Sequence, residues 1–238
     1  MTPRTRRQIA APLVAVLTPW RLGRWLVVDG RTPIVLAALA GLLVIPIIET
    51  TFTVVEHVRV QHELTELPAP QGGLLAELVD GIVGPPEFPA TTMAIRVATW
   101  TVAWLVGGLG SGLLTFAMLL GLHRLLTIRA DPDARAAIRP GVCAMTLWLA
   151  VATLAFALFA ISRTAADPTP LRVGAAMVGL WVMVGAGANA WSLLRTFSRA
   201  RAVVGAVVLG LLVLPIAAAG MQPAWQALML WQGLAIGL

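Results

Sequence analysis

The residues with the most chemical potential are three histidines, one cysteine and one serine in a glycine-rich stretch. His57 and His62, with Glu63 and Glu66 beside them, carry the donor types of a zinc site. Catalytic zinc motifs set two His one helical turn apart, as in His-Glu-x-x-His, whereas a spacing of five puts these two on different helix faces. No metal and no cofactor is therefore expected. Cys143, the only cysteine, excludes an internal disulfide and a thiolate metal cluster. Ser111 lies in Gly107-Gly108-Leu109-Gly110-Ser111-Gly112. A phosphate loop needs Gly-Lys-Ser or Gly-Lys-Thr, and a nucleophile elbow needs Gly where Leu109 stands. His123, beside Arg124, reads as a helix-terminal residue. Catalytic residues are thus not expected.

The elements that would carry these residues are not those of a soluble domain. The 238 residues are 58% hydrophobic and 12% charged, against about half and about a quarter in soluble domains. The apolar residues fall in blocks, and a bilayer-crossing helix needs about 20 of them in succession. Five such stretches, 33–55, 97–122, 142–161, 173–194 and 202–219, predict an all-α integral membrane bundle of five transmembrane spans. Around it lie a segment over 1–32, cytoplasmic and interfacial, an outer loop over about 56–96, and an interfacial tail over 220–238 in preference to a sixth crossing. Residues 1–20 have a basic front and a short apolar run like a signal peptide, but Pro12 interrupts the run and no Ala-x-Ala site follows, so the segment is expected to be retained.

All the positive charge is arginine, and its placement orients the chain. Thirteen Arg flank the spans on one side (4, 6, 7, 21, 24, 31, 124, 129, 135, 139, 195, 199 and 201), against Arg59, Arg96, Arg163 and Arg172 on the other. The positive-inside bias makes the first side cytoplasmic, so the expectation is a multi-pass cell-membrane protein with its N-terminus inside and its C-terminus outside. Guanidinium groups at span ends, without a compact stripe of interleaved aromatics, give no nucleic-acid partner. Glu49, in the first span, is placed near its outer end, where a carboxylate costs least. In the outer loop, Leu75, Val79 and Ile82 recur at helical spacing between Pro and Gly breakers.

Small residues at intervals of four allow helices to approach closely in lipid. Gly108 and Gly112 form such a pair in span two, Ala202, Ala206 and Gly210 in span five, and Gly179 and Gly187 flank Met183 in span four. Asn189 is the main polar side chain inside spans two to five and is expected to make a helix-to-helix hydrogen bond. Pro46 and Pro215 should each free a carbonyl four residues earlier. Trp100, Trp104 and Trp191 stand at span ends as membrane belts do.

Pro19 and Trp20 before span one, a long loop before span two, a span closing on His123 with Leu125 and Leu126, and Trp181 followed by Leu193, Leu194, Ser198, Arg199, Arg201 and Ala202 form an order of features. That order resembles the Yip family of Ypt- and Rab-interacting membrane proteins, in its prokaryotic form. The resemblance implies a five-span membrane adaptor without known catalysis, embedded in the lipid bilayer and binding other membrane or peripheral proteins. Its cytoplasmic recognition or lipid contacts are expected at Arg195, Arg199 and Arg201. The alternative reading is a transporter or permease component with a mid-membrane site near Asn189, Pro46 or Pro215.

The Arg asymmetry predicts which loop faces out. In a Cys143→Ser background, a cysteine introduced at Thr65 should react with an impermeant thiol reagent added to intact cells, and one at Ala134 should stay unlabelled. The reverse pattern would invert the topology.

Overall fold

The computed structural model describes residues 13–21, 34–66 and 90–236. These residues form an all-α bundle without strands, and five of the helical stretches are long and apolar enough to cross a membrane. Span one is α1 (Ile34–Leu42) and α2 (Val44–Glu66); span two is α3 (Ala90–Leu126). Span three joins α4 (Pro132–Met145) to α5 (Trp148–Ser162), and span four is α6 (Thr169–Leu194). Span five runs through α7 (Arg199–Gly220) into α8 (Gln222–Ile236). The loop expected over 56–96 begins inside α2 and ends inside α3, and its amphipathic stretch around Leu75 and Val79 lies outside the described residues.

Span one is interrupted near the point where its sequence removes a hydrogen-bond donor. Pro46 has no N–H to offer the carbonyl of Leu42, and α1 gives way to α2 across Leu43. The freed Leu42 oxygen accepts a hydrogen bond from Trp104 Nε1 at 3.1 Å. One turn earlier on α3, Trp100 Nε1 donates to Glu49 Oε1 at 3.0 Å. The two indoles stack with 6.1 Å between centroids. These tryptophans therefore clasp the first span as well as facing outward, and the carboxylate of Glu49 has a donor inside the bundle.

Glycine brings the backbones together. A Cβ on Gly41 would strike the backbone of Gly108 and Gly112, and one on Gly112 would strike the carbonyl oxygen of Ala37, so α1 and α3 cross backbone against backbone. At the α6–α7 crossing a Cβ on Gly187 would stand 2.8 Å from the oxygen of Ala206, and one on Gly210 would stand 3.1 Å from that of Met183. Real Cβ contacts avoid such distances, so both crossings depend on the missing side chain. Around them packs a core rich in alanine, with Trp148, Leu149, Val182, Ala186 and Leu209 buried.

The last helix continues the fifth span. Successive neighbours along α7 and α8 climb α3 in reverse: Gly205 lies by Leu126, Gly220 by Thr115, Ala224 by Ser111 and Ala227 by Gly107. Near its end, Trp231 Nε1 donates to the carbonyl of Arg96 at 3.4 Å. The residues read from sequence as a tail thus run antiparallel to α3. The reason is on α3 itself, where Gly107, Gly110 and Ser111 leave a shallow face that receives Ala224, Ala227 and Pro223.

Gly112→Leu should overpack the α1–α3 crossing by about 1–3 kcal/mol. For a chain of this size the melting temperature in detergent should fall by about 2–12 °C. Val203→Leu, at a position that is 57% exposed, is the control. Equal melting temperatures for the two variants would contradict the crossing.

Candidate functional site

The bundle's two ends differ. The end of α3 at Leu126 lies beside α7 at Gly205, which brings together the α3–α4 turn and the α6–α7 turn. Arg124, Arg129, Arg135, Arg139, Arg195, Arg199 and Arg201 all belong to these turns and their flanks.

Of the three arginines expected to act in recognition, Arg195 caps the C-terminus of α6, and its guanidinium lies 5.1 Å from the ring centre of Trp191. A cation at a helix C-terminus is favoured by the helix dipole, and stacking on indole adds to it. Arg199 and Arg201 stand in the opposite situation, in the first turn of α7, where the dipole disfavours positive charge. That turn is instead closed by Ser198, whose hydroxyl oxygen accepts from Arg201 N at 3.2 Å. Helix stability therefore does not account for Arg199 and Arg201. Arg199 is exposed and Arg201 half-buried, whereas Arg195 is held by its indole.

The packing residues fall into place with one exception. Gly108 and Gly112 meet α1, and Gly187, Ala206 and Gly210 make the α6–α7 crossing. Gly179 has nothing within 4 Å of where a Cβ would sit. At 100° per residue it is rotated about 80° from Gly187 round the helix. Asn189 is fully buried, and its Nδ2 donates at 3.0 Å to the backbone oxygen of Ala15. Its partner is thus the short helical stretch 13–17 and not another span; the turn Pro19–Arg21 that follows, with Pro19 buried, also packs against α6. Ser111 is used structurally: its hydroxyl oxygen accepts from Ala224 N at 3.0 Å and serves the first turn of α8, where Pro223 lacks an N–H.

Two cavities stand out by chemistry. The larger, about 520 Å³, lies between α2, α5 and the α7–α8 junction, lined by Phe52, Phe156, Met221 and Trp225 among others, and offers almost wholly apolar contact. The second, about 350 Å³, lies at the Arg-rich end between α3 and α4, lined by His123, Arg124, Thr127, Arg135, Ile138 and Arg139 among others. His123 is completely buried, with Nδ1 2.9 Å from the oxygen of Leu119 and Nε2 without a partner. Arg135 Nε is likewise buried and unpartnered. Among the described residues none of these three arginines forms a salt bridge.

No protein-family model, curated protein or solved structure matches the chain. The resemblance to the Yip family therefore rests on the residues quoted for it. The cavity was not read from the sequence, although a signal exists. His123, Arg124, Arg135 and Arg139 flank one short turn, and Pro132 starts a new helix that folds the last two back on the first two.

Removing the Asn189 amide should release the N-terminal stretch while the spans stay folded. In Asn189→Leu, amide exchange over residues 13–21 should accelerate about tenfold or more, the loss of a buried hydrogen bond of about 1–3 kcal/mol. Exchange within α6 should hold, and unchanged exchange over 13–21 would contradict the docking.

Proposed function

We propose that this chain is a non-enzymatic, multi-span cell-membrane adaptor of the kind that the Yip resemblance implies, with its Arg-rich end in the cytoplasm and binding other membrane or peripheral proteins there. The observation that carries this reading lies at the Arg-rich end, where Arg199 and Arg201 sit in a helix turn that disfavours them. Within the bundle, Glu49, Ser111 and the amide nitrogen of Asn189 hold segments together and the carbonyl freed by Pro46 is taken by Trp104, while Asn189 Oδ1, Thr115 Oγ1 and Trp148 Nε1 are buried without partners.

The transporter alternative draws on Asn189, Pro46 and Pro215 as a mid-membrane site. It is less well supported, because two of its three elements are already engaged in holding helices together. Arginine in place of lysine also fits recognition of carboxylates, since the planar guanidinium makes paired contacts that an ammonium does not.

A protein with Arg195, Arg199 and Arg201 all changed to Lys keeps its charge and its topology signal. It should insert normally and lose the partners that crosslinking and mass spectrometry find on the parent protein. An unchanged set of partners would reduce these residues to topology and lipid attraction, and would remove the loop from the proposal.

A further inference from the structure

We infer that the cavity between α3 and α4 is a binding site for a phosphomonoester group, carried by a lipid headgroup or free in solution. This goes beyond the adaptor reading and does not depend on it. The cavity is formed by the close of α3, which brings His123, Arg124 and Thr127, and the start of α4, which brings Pro132, Arg135 and Arg139.

Charge selects an anion. Three guanidinium groups line the cavity, and among the described residues none has a carboxylate partner. Asp131 and Asp133 flank the first turn of α4 but stand outside the lining, so three positive charges face two negative ones. A planar guanidinium matches the oxygen spacing of phosphate, in two-point contacts.

The buried histidine narrows the anion further. A carbonyl oxygen only accepts, so the contact to Leu119 makes Nδ1 the donor. In that tautomer Nε2 presents a lone pair, and it has no partner. An unsatisfied buried acceptor inside an arginine-lined cavity suits an anion that brings its own proton. Hydrogenphosphate carries a P–OH near neutral pH, and a phosphomonoester, whose second pKa is about 6, carries one in its monoanion, the form this acceptor would select. Sulfate and phosphodiesters do not. The volume, about 350 Å³, is within the usual range for small-ligand pockets of about 300–1,000 Å³ and leaves room for the carbons next to the ester. Lipid headgroups lie at the level of arginines that close a transmembrane helix, which provides one source. The cytosol provides the other.

The test uses the full chain in nanodiscs of phosphatidylcholine, titrated calorimetrically with inorganic phosphate and with sulfate, and in parallel with short-chain phosphatidic acid and phosphatidylglycerol. Phosphate or phosphatidic acid should bind at least about tenfold more tightly than sulfate or phosphatidylglycerol, one acceptor hydrogen bond to a charged group. Binding of phosphatidic acid alone assigns the lipid source; equal binding of inorganic phosphate assigns the soluble one. Arg135→Gln should weaken the bound ligand about tenfold or more. His123→Asn keeps a donor toward Leu119 but removes Nε2, and should abolish the preference over sulfate while leaving anion binding. If His123→Asn fails to fold, the parent's preference and Arg135→Gln still decide. No binding of either monoester, equal binding of sulfate, or indifference to Arg135→Gln would overturn the assignment.

Discussion

In hydrocarbon there is no water to satisfy a backbone polar group, and each one left unpaired costs several kcal/mol. That constraint governs how this bundle uses its few polar side chains. At three places a side chain distant in sequence meets a backbone group that its own helix leaves open. Pro46 frees the Leu42 carbonyl, and Trp104 fills it from α3. Pro223 interrupts the passage from α7 to α8, and Ser111 receives the Ala224 N–H. The carbonyl of Ala15, in the stretch before span one, takes the Asn189 amide. Each repair joins segments distant in sequence, so the breaks also serve as fastenings.

Glycine permits these repairs. Indole and hydroxyl groups are short, and they reach a neighbouring backbone only where helices lie close. The α1–α3 crossing at Gly41, Gly108 and Gly112 brings Trp104 within reach of Leu42, and the shallow face at Gly107 and Gly110 seats α8 on Ser111. In lipid, apolar burial does little to favour one helix contact over another, so close packing and hydrogen bonds carry the specificity. Some interior polar atoms stay unpaired, namely Thr115 Oγ1, Trp148 Nε1 and Asn189 Oδ1. At the Arg-rich end, His123 Nε2 and Arg135 Nε are buried without partners, and Arg199 stands exposed against its own helix dipole.

The five spans were legible because span length is a property of composition, visible in any window of about 20 residues. So were the pairs Gly108 with Gly112 and Ala206 with Gly210, whose four-residue spacing survives as a face on each helix. Gly179 was misleading because eight residues accumulate a rotation that four do not. The fate of 220–238 depended on a partner more than a hundred positions earlier; Gln222, Pro223 and Gln226 lower the local hydropathy, while the groove that receives this segment belongs to α3. Asn189 was recognised as a hydrogen-bonding residue, yet its acceptor is a backbone atom, which carries no mark in the sequence. The cavity escaped for a related reason: His123 reads as a terminal residue until the turn after Leu126 folds Arg135 and Arg139 back over it.

In the proposed reading, the polar groups within the membrane hold helices together and do not conduct a substrate. Flux through purified protein in liposomes measures this most directly, with proton, cation and small-solute gradients imposed in turn and protein-free vesicles as reference. The leak should be the same with and without protein for every gradient. Protein-dependent flux that disappears in Asn189→Leu, in a variant that still folds, would contradict it and make the bundle interior a transport path.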